Sequence, residues 1–175
     1  MNLPNLLSIT RVFLIIPTII FFENYWYLLS VCTFTLAAIT DYLDGHFARK
    51  NKISSDLGAL LDLLADKIFV STLLIWMTFN FDDFFILISS ILIVSREISI
   101  SYLRLFIVSK SEEIRKVNAD SLGKFKTTFQ MFGLGTILIS PLTSDFIFNV
   151  GLLLLLFSAA MSWYSLIRYL NKWIV

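Results

Sequence analysis

The sequence predicts an all-α, polytopic membrane protein: six transmembrane helices with a polar cavity open to the cytoplasm. Three observations carry that expectation. Of 175 residues, 57% are hydrophobic and 17 are Phe, and the mean hydropathy is +0.80, whereas a soluble domain of this length would need far more polar surface. The apolar residues gather in six stretches, roughly 6–22, 26–45, 57–79, 84–109, 122–141 and 146–168, each about the 17–25 residues that cross a hydrocarbon core. The charges nearly balance at a net +1, yet they are segregated along the chain.

The connections show that segregation. Those after the first, third and fifth stretches, at 23–24, 80–83 and 143–145, contain no Lys or Arg. Those after the second and fourth carry Arg49, Lys50, Lys52, Lys110, Arg115 and Lys116, and the tail adds Arg168 and Lys172. The positive-inside rule then places both termini and the connection after the second helix in the cytoplasm. Aromatic residues agree: Phe21, Phe22, Tyr25, Trp26 and Tyr27 bracket one outer turn, Phe79, Phe81, Phe84 and Phe85 the next. Trp163, Tyr164, Tyr169 and Trp173 mark the opposite interface, as aromatic belts do. Other Phe residues are expected to face lipid.

The first apolar stretch has no basic leader and no small-residue cleavage site, so it is expected to be a retained helix. The single Cys32 lies within an apolar run; it permits no intrachain disulfide and is expected to be a small core residue. The polar run 110–121 (KSEEIRKVNADS) is expected to be a solvated loop or surface helix. No repeat, linker or second unit interrupts the chain, and 1–175 is read as one membrane domain. No nucleic-acid partner is expected.

Depth locates the charges. At 1.5 Å per helical residue, Arg11 lies about 17 Å from Phe22, Arg96 about 18 Å from Phe84, and Asp66 about 21 Å from Asn80. Asp41 comes to about 24 Å from Tyr25, and Asp62 to about 27 Å from Asn80. All fall in or below the inner half of a core about 30 Å thick. Ions of opposite sign at matching depth are expected to share one polar cavity, because a charge facing lipid is costly.

The densest of these charges lie at 41–66, DYLDGHFARKNKISSDLGALLDLLAD. On helices, Asp41, Asp44, Gly45 and Ala48 share one face, as do Gly58, Asp62 and Asp66. A carboxylate in a bilayer costs about 2.5–3.5 kcal/mol on insertion scales, and close-set carboxylates repel unless some protonate or a cation joins them. Oxygen donors without paired His or Cys suit Mg²⁺ or Mn²⁺. The small residues leave room for a bulky group, such as a diphosphate, against the backbone. They are also the residues that let membrane helices pack closely. His46 and Asp56 receive no role.

The spacing D-x2-D-G-x2-A-R-x8-G-x3-D-x3-D resembles the signature of the CDP-alcohol phosphatidyltransferases, membrane enzymes of phospholipid synthesis. The resemblance implies a two-metal site with Asp41, Asp44, Asp62 and Asp66 as its carboxylates. Asp66, the last of the four, is cast as the base that accepts the proton of the incoming alcohol. It further implies that Asp41, Asp44, Gly45, Ala48, Arg49 and Gly58 receive CDP-diacylglycerol. The family tends to dimerise, so a homodimer is expected.

Beyond the signature, PNLLSITR at 4–11, SREISISYLR at 95–104 and LGKFKTT at 122–128 resemble the branch of the family whose acceptor is sn-glycerol 3-phosphate. A phosphorylated acceptor needs a cationic pocket beside the metals. Arg96, Arg104, Lys124 and Lys126 are the expected source, with Lys67 and Arg11 as further candidates. The bland reading of Arg96 is that it only pairs with Glu97 or an aspartate, and that of Lys124 and Lys126 is that they are topology markers. The rival within the family is a cardiolipin synthase, which uses phosphatidylglycerol as acceptor. The rivals outside it are an intramembrane prenyltransferase and a cation transporter.

Overall fold

A computed structural model describes residues 3–51, 56–110 and 121–174. Within these, the side chains at 3–5, 41–51, 56–57, 59, 62, 104–110, 121–125 and 172–174 lie outside the description. So does nearly all of the polar run expected as a loop or surface helix.

The described residues form α-helices, with no strand: α1 (Leu3–Glu23), α2 (Tyr27–Asn51), α3 (Asp56–Phe81), α4 (Phe84–Lys110), α5 (Ser121–Ile139) and α6 (Asp145–Ile174). Each expected span falls on its own helix. By length and composition, four segments can cross a membrane: Leu6–Glu23, Leu63–Phe81, Phe84–Leu103 and Asp145–Asn171. In α2 the apolar run among the described residues is Tyr27–Thr40. α2 continues to Asn51 and α6 to Ile174, past the apolar stretches, since helical hydrogen bonding does not end where the side chains turn polar. A 3₁₀ turn at Ser140–Leu142, with Pro141 in its first turn, was not expected from the sequence.

The helices neighbour one another in the cyclic order α1, α2, α5, α6, α4, α3 and back to α1. α3 supplies the centre: Phe69, Leu73, Leu74 and Met77 are all fully buried. Ile86 and Ile93 of α4, Leu134, Ile137 and Leu138 of α5, and Leu155 of α6 complete that core. The polarity of the bundle is inverted relative to a soluble one. Arg11, Thr18, Ser30, Arg96, Lys126, Gln130 and Ser162 are buried, while Phe13, Ile75, Phe79, Phe132 and Leu153 are exposed. Lipid solvates large apolar side chains at no cost, whereas polar groups must find partners within the protein. Several Phe residues do face outward as expected, but Phe22, Phe34 and Phe69 are core residues. Cys32, expected in the core, is instead exposed, because the buried face of α2 passes through Ser30, Phe34 and Ala37.

One end of the bundle is closed by caps and aromatic contacts. The Trp26 N–H donates to the Phe21 carbonyl at 2.8 Å and the Tyr25 N–H to that of Phe22 at 2.9 Å, with Tyr25 at φ 62°. This paired pattern is a Schellman motif and satisfies the last carbonyls of α1. Asp83 caps α4 by accepting from the Phe85 and Ile86 N–H groups at 2.8 and 3.0 Å. Glu23 accepts from Trp76 Nε1 at 2.8 Å and Asn80 Nδ2 at 3.0 Å, tying α1 to α3. Phe22 packs edge-on against Tyr27, Trp76 and Phe81, which gathers the residues read as one aromatic belt.

α5 and α6 cross closely through glycine. A Cβ at Gly151 would stand 2.7 Å from Ile137 Cγ1 and Thr136 Oγ1 and 3.2 Å from the Gly133 carbonyl oxygen. Gly151→Val is therefore expected to cost about 1–3 kcal/mol through overpacking. The check is thermal unfolding of the purified protein in detergent, where an unchanged Tm would contradict so close a crossing.

Candidate active site

Side-chain contacts join the first half of α3, the second half of α4, the start of α5 and the second half of α6, at the end of α3 opposite the Glu23 clasp. This is the end that carries the aspartates. Asp66 and Lys67 lie on α3, Arg96, Glu97 and Ser101 on α4, and Lys126 on α5. α6 contributes the backbone of Ser162 and the hydroxyl of Ser158.

These residues meet at the carboxylate of Glu97. Its Oε1 accepts from Arg96 Nη1 at 2.7 Å and from Lys126 Nζ at 2.5 Å. Its Oε2 lies 3.9 Å from Lys67 Nζ. Lys67 also donates to the Glu97 carbonyl at 3.5 Å and to the Ser101 hydroxyl. Arg96 is held a second time, through Nε to the Ser162 carbonyl at 3.2 Å. The backbone of Lys126 is fixed as well, since Ser158 Oγ donates to its carbonyl at 3.0 Å. Nearby, Trp163 Nε1 donates to the Leu92 carbonyl at 3.0 Å, docking α6 on α4.

Burial makes this network consequential. The side chains of Arg96 and Lys126 are 7% and 6% exposed, and those of Glu97 and Lys67 17% and 19%. Removing the shared partner, Glu97, leaves buried cations short of a counter-ion, and breaking a buried pair costs about 3–5 kcal/mol. Asp66 is half-buried, and its carboxylate attracts the ammonium of Lys126. Among the described residues, three cations from three helices thus face two carboxylates, beside the end of the signature segment. That excess of positive charge, partly dry, suits a ligand carrying a phosphate.

Of the residues singled out from the sequence, Asp66, Arg96 and Lys126 come together in this cluster. Lys67 joins them. Arg11 is fully buried on α1, and Gly58 is half-buried one turn before Asp62. Asp41, Asp44, Gly45, Ala48 and Arg49 lie on α2, Asp62 on α3, Arg104 on α4 and Lys124 on α5, but their side chains lie outside the described residues. Among the described residues, no three His, Cys, Asp or Glu side chains converge. Arg96 does pair with Glu97, as its bland reading held, but the pair is one part of a larger network. Glu97 is the residue that sequence reasoning undervalued. The depth count that located Arg96 places Glu97 about 20 Å from Phe84, level with the cations it joins.

The family model for CDP-alcohol phosphatidyltransferases matches residues 1–167. Curated relatives span nearly the whole chain. A CDP-diacylglycerol–glycerol-3-phosphate 3-phosphatidyltransferase of Arabidopsis thaliana is 36% identical over 186 residues, covering 98% of this chain and 79% of the relative. The enzyme of the same name from Haemophilus influenzae is 36% identical over 177 residues, covering 97% and 92%. That of Pseudomonas fluorescens is 31% identical over 174 residues, covering 98% and 89%.

Proposed function

The chain belongs to the CDP-alcohol phosphatidyltransferase family, and from that premise we propose that it transfers the phosphatidyl group of CDP-diacylglycerol to the primary hydroxyl of sn-glycerol 3-phosphate. The products are phosphatidylglycerol phosphate and CMP. The observation that carries the choice of acceptor is the buried cluster of Lys67, Arg96 and Lys126 next to Asp66. The names of the near full-length relatives support the same choice. An acceptor without a phosphate gives no reason to hold three cations at this depth.

In this reading the six helices span a bacterial-type inner membrane as one domain, with both termini and a polar cavity on the cytoplasmic side. Lys and Arg distribution and the inward-facing polar residues support that placement. CDP-diacylglycerol keeps its acyl chains in lipid, and its diphosphate lies along Gly45, Ala48 and Gly58, with Arg49 facing the phosphates. Arg96 and Lys126 hold the acceptor phosphate, and Arg104, about two turns beyond Arg96, and Lys124, two residues before Lys126, extend that basic surface. Asp66 takes the proton of the acceptor's primary hydroxyl. The hydroxyl oxygen then bonds to the phosphorus attached to diacylglycerol, and the bond from that phosphorus to the CMP oxygen breaks. Much of the rate comes from holding the two substrates in line.

The donor set of Asp41, Asp44, Asp62 and Asp66 fits Mg²⁺ or Mn²⁺, because it is all oxygen and all carboxylate. When bound, divalent cations supply charge stabilisation to the diphosphate and the departing CMP. The chain acts as a homodimer in this reading, as the family resemblance implies.

The test is an acceptor panel. Purified protein with CDP-diacylglycerol and Mg²⁺ or Mn²⁺ is offered glycerol 3-phosphate, glycerol, myo-inositol, serine or phosphatidylglycerol, and CMP release is followed. Release driven by glycerol 3-phosphate alone is the expected result. Release driven by phosphatidylglycerol instead would identify a cardiolipin synthase and overturn the reading.

A further inference from the structure

The cations of the cluster are unequal in what holds them in place, and one residue is common to all three. Lys126 and Lys67 end in flexible four-carbon stems on different helices, and Lys67 is also held by the Ser101 hydroxyl and the Glu97 carbonyl. Arg96 is anchored through Nε to the Ser162 carbonyl at 3.2 Å, yet its fork turns on Nη1, which reaches Glu97 at 2.7 Å. Three like charges this close repel in a medium of low dielectric. The carboxylate that joins all three is Glu97, whose Oε1 takes both Arg96 and Lys126 and whose Oε2 faces Lys67, while Asp66 adds attraction for Lys126.

We propose that Glu97 is the positioning residue of the acceptor subsite, its carboxylate gathering Arg96, Lys126 and Lys67 into a preformed pocket for the phosphate of a phosphorylated alcohol. This rests on the reaction proposed above and assigns to that site a residue outside both the signature and the set of phosphate-binding cations. Glu97 acts through its neighbours and does not touch the reacting atoms. Donors remain for a ligand: a guanidinium carries five N–H groups and an ammonium three, and Arg96 and Lys126 spend only part of theirs on Glu97 and Ser162. Charge also closes. A phosphomonoester brings about −1.5 to −2 at neutral pH, against three cations shared with Glu97 and Asp66. The alternative role, a carboxylate that occupies the phosphate position and must be displaced, predicts the opposite kinetics.

The experiment measures CMP release from the purified, full-length protein with CDP-diacylglycerol, titrating glycerol 3-phosphate, for wild type, Glu97→Gln and Glu97→Asp. Glu97→Gln is expected to raise the KM for glycerol 3-phosphate about tenfold or more, the worth of a hydrogen bond to a charged group. The KM for CDP-diacylglycerol should stay within about twofold, and kcat at saturating acceptor should fall less than the acceptor KM rises. Glu97→Asp keeps the charge but retracts the carboxylate, and it supplies the same readout if Glu97→Gln does not fold. Its acceptor KM should rise several-fold. A residue that mattered only for folding would lower the active fraction and leave both KM values alone. An acceptor KM that is unchanged or lowered in the variants overturns the role of Glu97 while leaving the reaction standing. CMP release from wild type that does not depend on glycerol 3-phosphate overturns the reaction itself, and this role with it.

Discussion

Asp66→Asn is expected to reduce turnover by about 10²- to 10⁴-fold, the usual contribution of a positioned general base, while CDP-diacylglycerol remains bound. The substitution keeps the size of the side chain and one carbonyl-type oxygen but removes the ability to accept a proton from an alcohol. Asp66 is half-buried in the first half of α3, where its carboxylate feels the ammonium of Lys126. Retention of CDP-lipid by the variant, measured by equilibrium binding of a labelled analogue in detergent, separates the two roles open to this residue. If binding collapses together with turnover, Asp66 serves chiefly to hold cations, and its assignment as base is wrong.

Lys126→Met is expected to raise the KM for glycerol 3-phosphate by about 30-fold or more, equivalent to about 2 kcal/mol, the low end for truncating one partner of a buried charge pair. Methionine keeps an unbranched stem of similar length, so packing against α4 and α6 is preserved. Glu97 keeps Arg96 and Lys67 as partners, so the carboxylate is not stranded. The KM for CDP-diacylglycerol should change little. Titration of each substrate at saturating levels of the other provides the check, and equal effects on both would remove Lys126 from the acceptor pocket.

The two predictions divide the site along its chemistry, and the division explains how much of it could be read from the sequence. The six helices were legible because a bilayer demands long apolar runs and because Lys and Arg alternate from one connection to the next. The family was legible because eight specified positions, of only four residue types, fall at fixed intervals, and the family model agrees. Arg96 and Lys126 were found by depth and by local pattern. Their meeting on one carboxylate was not legible, since it depends on how α3, α4, α5 and α6 cross. Glu97 comes directly after Arg96 in the chain, so the two read as a local pair. The same blindness to helix rotation put Cys32 in the core when it faces outward. The 3₁₀ turn at Ser140–Leu142 was carried only by Pro141, a residue that ends a helix without specifying the geometry of the next turn. The glycines that let α5 and α6 approach, Gly133 and Gly151, gave no signal of their partners.

The inverted polarity of the bundle ties these observations together. Polar and charged side chains are turned inward at the end that carries Asp66, and large apolar ones outward. A membrane protein accepts that desolvation only where the buried charges are matched to one another or to a ligand. Here the matching among Lys67, Arg96, Glu97 and Lys126 leaves positive charge in excess beside a carboxylate. That arrangement is suited to an alcohol that carries its own phosphate.

The most direct measurement tracks the phosphate of the acceptor. Purified protein is given CDP-diacylglycerol, Mg²⁺ and glycerol 3-phosphate labelled in its phosphate, and the organic phase is analysed for lipid product. The account predicts that label enters a phosphatidylglycerol phosphate in equal amount with the CMP released. CMP released while all of the label stays in the aqueous phase would contradict it.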